Sequence, residues 1–175
     1  TLNSAALRRP STVEPERFSR AARKAELSMS FAPYRSQVVW VAVIALSNAG
    51  RRTAEVREIA GISNSHDMKL GEIDGCLEAV RSLGIGGKSD EIILRTESGF
   101  LATALELSLA GNVPEMHGDE AKAWSEIIDT LTRWQSRIIH RGTGAARPID
   151  EKADRILRRR LADLAQGGTE ATVPA

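Results

Sequence analysis

Aromatic residues make up only 4% of this 175-residue chain, and cysteine occurs once. The single Cys76 excludes a disulfide within the chain, and with it a small cystine-stapled scaffold; its place beside an apolar stripe suits a buried small hydrophobe in a reducing cytoplasm. Long apolar runs are missing too. The longest, 38–46, falls far short of the roughly 20 residues that span a bilayer and lies too far inside the chain for a signal peptide, so no membrane partner is expected. His66, His117 and His140 stand far apart, none at metal-ligand spacing with another, so neither a metal nor another cofactor is expected. The string GIGGK at 84–88 lacks the GxxxxGK[ST] spacing of a phosphate loop and precedes a strand pattern, which excludes nucleotide binding there. No nucleophile is accompanied by a base in a recognisable context, so the chain is not expected to be an enzyme. There is no internal repeat.

Charge of one sign is also lacking overall: the formal net charge is +1, with 27% charged residues. Its distribution is uneven, with basic residues concentrated at both ends and acidic ones in the middle. Ala, Leu, Ile and Arg recur at helical spacings, which points to a mostly helical soluble protein.

Along the chain, 1–32 reads as a basic arm continuing into a weak, alanine-rich helix over 16–29, separated by Pro33 from the next element. Residues 36–48 are apolar almost all round. Their valines also suit a buried strand, but the thirteen-residue length and Gly50 at a C-cap position favour a helix. A short helix over 53–61 ends at Gly61, a polar turn covers 63–67, and a second helix comes next with Leu70, Ile73, Leu77 and Val80 on one face, ending at Gly84. Residues 85–88 and 91–95 can pair as a hairpin across Ser89 and Asp90. Ser98 can cap a helix over 99–110. A long helix is predicted over 119–141, with Trp124, Ile127, Ile128, Leu131, Trp134 and Ile138 on one face, and a last helix over 150–166. The tail 167–175 reads as disordered.

Helix, turn, longer helix and hairpin in that order compose a winged helix. The junction LRTESGFLATALEL, through Leu94, Thr96 and Gly99, resembles the strand-to-helix junction of MarR-type winged helix-turn-helix regulators. The resemblance covers roughly 37–109. It implies a mainly α fold with a small β-hairpin wing: a winged-helix domain over 33–111, flanked by an N-terminal helix and by a C-terminal helical dimerisation region over 112–166. It further implies a homodimeric transcription regulator that binds double-stranded DNA, and the lone cysteine places it in the cytoplasm.

Candidate phosphate contacts are Arg51, Arg52, Lys69 and Lys88, with Ser63, Asn64, Ser65 and His66 as candidates for base-edge or phosphate hydrogen bonds. Arg155, Arg158, Arg159 and Arg160 form a further basic face on the last helix. Trp124, Ile128, Leu131, Trp134 and Ile138 are the expected dimer anchors. Against DNA stands the acidic helix 67–83, whose Asp67, Glu72, Asp74 and Glu78 outnumber Lys69 and Arg81. The alternative is therefore a winged-helix interaction subunit of a larger chromosome-organising or defence complex, gripping a basic protein partner through that helix.

Overall fold

Burial on both faces decides the conformation of the apolar stretch after Pro33. In the computed structural model, which describes residues 22–48 and 54–167, that stretch is a strand, Gln37–Asn48. Val38, Trp40, Ala42 and Ile44 enter one apolar cluster, while Val39, Val41 and Val43 enter a second on the opposite side. A run without polar alternation is what a strand covered on both faces requires. The stretch over 36–48, expected as a helix, is therefore a strand.

The elements run β1 Arg23–Tyr34, β2 Gln37–Asn48, β3 Glu55–Ser63, α1 Met68–Leu83, β4 Glu91–Thr96, α2 Gly99–Leu109, α3 Gly118–Arg133, β5 Gln135–His140, a 3-10 turn Arg141–Thr143 and α4 Pro148–Gln166. The five strands form one sheet in the order β3-β2-β1-β4-β5. β1, β2 and β3 pair antiparallel, whereas β4 pairs parallel to both β1 and β5. Helices α1, α2 and α3 share the larger core cluster with one face of the sheet; α4 covers the other.

A winged-helix core with flanking helices is thereby replaced by a mixed α/β sheet with helices on both faces. The weak helix expected over 16–29 falls partly outside the described residues and otherwise belongs to β1. There the period is two, with Leu27, Met29 and Phe31 on the α1 side and Ser28 and Ser30 on the α4 side. Pro33 lies inside β1, beyond the end of β4, where a missing N–H is tolerated. The helix expected over 53–61 is the edge strand β3, whose Glu55, Arg57 and Glu58 are exposed charges that discourage further pairing. Gly61 is not a helix cap: a Cβ there would stand 2.5 Å from the Trp40 ring, so the indole packs directly on its backbone.

The hairpin wing does not form. Only Glu91–Thr96 is a strand, held centrally, while the preceding glycines fold around the Asp90 carboxylate, which accepts the backbone N–H groups of Arg23 and Gly87 and a guanidinium N–H of Arg23. Helices form over 68–83, 99–109 and 148–166, close to the positions that periodicity gives, and the Ser98 hydroxyl accepts the Leu101 N–H at the start of α2. The helix expected over 119–141 divides at Trp134, because the Ile138-Ile139 segment pairs with the open edge of β4. Trp124, Leu131, Trp134 and Ile138 are buried in the core of this one chain, and Ile128 packs against it, so the stripe read as a dimer interface is spent within the protomer. The tail beyond Gly167 lies outside the described residues.

Candidate functional site

Two acids of α4 meet two successive rows of the sheet. Asp150 and Asp154 are one helical turn apart and so face the same way. In the first row Ser28 and Arg95 are register partners on β1 and β4. The Ser28 hydroxyl donates to Asp150 Oδ1 at 2.7 Å, and Arg95 donates through Nε at 3.0 and 3.1 Å and through Nη2 at 2.8 Å. The backbone N–H of Arg147 adds a further bond to Asp150, which closes the start of α4. In the second row Ser30 donates to Asp154 Oδ1 at 2.6 Å, and Arg141 donates to Asp154 Oδ2 at 2.8 Å. Arg141 follows β5 and reaches across β4 to β1, where it also donates to Ser30 Oγ at 2.9 Å and to the Met29 carbonyl at 3.1 Å. Its Nε stands 3.4 Å from Asp150 Oδ1, and its Nη2 donates to the Asp150 carbonyl at 3.2 Å.

Ser28, Ser30, Arg95 and Asp150 are all buried. Burial opposes ionisation of Asp150, but the Arg95 and Ser28 hydrogen bonds, the Arg147 N–H and the Arg141 charge outweigh it and hold the carboxyl at about 2. Around it, Arg147 pairs with Glu26 at 2.6 Å.

A second pair of acids lies at the same end of the sheet on the α1 side. Glu97, just past β4, accepts the Phe31 N–H at 3.2 Å where β1 runs on beyond its neighbour. Glu72 of α1 accepts the Ser98 hydroxyl at 2.6 Å. Burial pushes the Glu72 carboxyl up, the Ser98 bond opposes this, and the negative charges of Glu97 and Asp67 add to the rise.

Carboxylates clustered at one end of a sheet can clamp a divalent cation. The donors present here do not fit such an ion. Both oxygens of Asp150 and of Asp154 are engaged by guanidinium, hydroxyl or backbone donors, and among the described residues no three His, Cys, Asp or Glu side chains are grouped to hold a metal.

The residues singled out in the sequence scatter. Arg51 and Arg52 lie outside the described residues. Ser63 is buried and donates to Asp74; Asn64 accepts from Gln37 Nε2 at 2.8 Å; Ser65 bonds Asp67 ahead of α1; His66 is exposed. Lys69 sits over the Phe100 ring at 5.0 Å. These five share the end of the sheet that holds the acids, since Ser63 pairs with Val38 and Val38 with Pro33 of β1. Lys88 lies at the opposite end, ahead of β4. The acidic face of 67–83 is largely consumed within the chain: Asp67 caps α1, Glu72 is buried, Asp74 bonds Ser63, and Glu78 and Glu126 share Arg81.

Sequence reasoning missed Ser28, Ser30, Glu72, Arg95, Glu97, Arg141, Asp150 and Asp154 as a site. One signal was present: Asp150 and Asp154 fall on the stripe of Ala153 and Leu157, and a carboxylate on the buried face of an amphipathic helix calls for a partner.

No family model matches the chain, and no curated protein matches it in sequence. Solved structures do. The N-terminal RNase H domain of rv2228c from Mycobacterium tuberculosis superposes with a TM-score of 0.54 at 14% identity, over 85% of this chain and 100% of that one. LC9-RNase H1, described as a type 1 RNase H with the type 2 active-site motif, gives 0.54 at 13% identity, over 87% and 75%. A foamy viral protease-reverse transcriptase in complex with RNA/DNA hybrid gives 0.54 at 17% identity, over 81% of this chain and 20% of that one. These likenesses overturn the MarR-type resemblance, and with it the DNA-binding transcription regulator and the winged-helix interaction subunit. The expectation that the chain is not an enzyme does not stand either, since the neighbours are ribonucleases H by name. At such identities what they share with this chain is architecture, and the architecture is the RNase H fold.

Proposed function

We propose that this chain is a nucleic-acid-processing domain of the RNase H kind, which engages an RNA/DNA hybrid across α4 and the adjoining end of the sheet. The observation that carries this reading is the exposed series Arg155, Arg158, Arg159 and Arg160, which continues the helix whose first turns hold Asp150 and Asp154. Arg155 and Arg158 border the same shallow depression as Asp154 and Glu151. Unpaired carboxylates would repel a phosphate backbone. Here Arg95 and Arg141 neutralise both acids, so a polyanion can approach the arginines beyond them. An RNA/DNA hybrid is the ligand this reading calls for, because the viral neighbour was captured with one.

The test is fluorescence anisotropy of the full chain with a short labelled RNA/DNA hybrid, set beside single-stranded RNA and duplex DNA, with strand scission read on a gel from the same samples. Hybrid binding that weakens steeply with salt and with the Arg155→Ala, Arg158→Ala double variant supports the reading. Absence of hybrid binding at low salt would overturn it.

A further inference from the structure

We propose that Arg141 is an internal cation: its guanidinium occupies, between Ser30, Asp150 and Asp154, the position a divalent metal would take. The cluster therefore binds no metal, and the chain engages nucleic acid without one. The second statement rests on the reading above; the first stands without it.

Three observations converge. Arg141 is placed as a bridging ion would be, since it touches Asp150 and Asp154 of α4 and two oxygens of β1, the Met29 carbonyl and Ser30 Oγ. Its side chain is only 9% exposed, so it is a built part of the interior and not a surface arginine folded over a cleft. The local charge is already balanced, with Arg95 and Arg141 set against Asp150 and Asp154. A dication entering there would meet two guanidinium groups within a few ångströms and no carboxylate oxygen of Asp150 or Asp154 without a donor, whereas magnesium requires near-octahedral oxygen ligands at roughly 2.0–2.1 Å. Arg141 is delivered by the chain itself: β5 pairs in parallel with β4, His140 is level with Thr96, and the next residue turns back over the end of β4.

The test is Mn2+ titration of the full chain followed by electron paramagnetic resonance, with the hybrid-binding assay run in EDTA and in Mg2+ at matched ionic strength. The expected result is no stoichiometric Mn2+ site at millimolar metal, and hybrid affinity that agrees within twofold in the two buffers. Arg141→Ala, or Arg141→Gln should the alanine variant prove unfolded by circular dichroism, removes the internal cation and should tighten Mn2+ binding at least tenfold. A stoichiometric Mn2+ site in the unaltered protein that disappears in Asp154→Asn would overturn the proposal. So would folded Arg141 variants that gain no metal, because the guanidinium would then not stand in a cation's place. Hybrid binding that needs Mg2+ would sink the metal-independence claim alone; no hybrid binding in either buffer would sink the functional reading and leave the metal titration to decide on Arg141.

Discussion

Arg95 and Asp150 meet side-on between sheet and helix, Nε within 3.1 Å of both carboxylate oxygens and Nη2 at 2.8 Å from one, with side-chain exposures of 7% and 3%. This is a buried ion pair supported by the Ser28 hydroxyl and the Arg147 N–H, and it joins β4 to the first turn of α4. Such a pair contributes little net stability relative to a well-packed apolar replacement, yet breaking it from one side strands a charge in a dry site.

Arg95→Ala should therefore lower the unfolding free energy by about 3–5 kcal/mol in urea titrations. Arg95→Lys should recover only part of this, because a single ammonium cannot reproduce the fork. A loss under about 1 kcal/mol in the alanine variant would mean that Arg141 alone suffices for Asp150.

Acid should destabilise the fold in a defined window. Asp150 and Asp90 are both held at about 2, below the ordinary 3.8. For Asp90 burial opposes the charge, and the Arg23 guanidinium and the backbone N–H groups of Arg23 and Gly87 outweigh it. As pH falls from about 4 to about 2 the unfolded chain takes up these protons first. The stabilisation, roughly 2 kcal/mol per group, is thus present above pH 4 and lost towards pH 2. Melting temperatures between pH 2 and 6 should show a steep acid limb that Asp90→Asn flattens; equal limbs in the two proteins would contradict the assignment.

Glu72 should behave in the opposite sense. Its carboxyl is pushed up in the folded state, chiefly by burial, so its contribution is present at low pH and declines as pH rises through the folded value. Glu72→Gln keeps an acceptor for the Ser98 hydroxyl and should be more stable than the parent at pH 8, with the gap closing at pH 4. A gap independent of pH would refute the shift.

On nucleic acid, Arg155→Ala combined with Arg158→Ala should reduce the slope of log affinity against log salt by roughly 1.5–2 units, as expected if each arginine neutralises one phosphate. An unchanged slope would place the backbone elsewhere.

Three helices could be read from the sequence because each carries one apolar face at a period near 3.6 and begins at a recognisable boundary, such as Ser98 or Asp67. The strands were hidden for a physical reason. β2 and β4 are covered on both sides, so alternation, the usual mark of a strand, is erased; the length of β2 then imitates a helix. β1 is rich in alanine and serine, residues of weak strand preference, and is fixed in place by neighbours on both sides. The site was harder still. Its members come from β1, β4, the turn after β5 and α4, and only parallel pairing of strands distant in sequence brings Ser30 to Arg141, so no local spacing announces it. Arg155 and Arg158 were visible as an exposed basic face; the acids they adjoin were not.

The order in which the chain is synthesised gives the last helix a further consequence. Val39, Val41 and Val43 are made well before their cover, which among the described residues is Ala153, Leu157 and the neighbouring apolar positions of α4. Until those residues leave the ribosome, the growing sheet presents a row of valines to water on one side. Its other side can already begin to close around α1 and α2. A nascent chain stalled before Pro148 would then be an aggregation hazard, and closure of this face would await a single docking event in which the valine row and the two aspartate contacts are satisfied together.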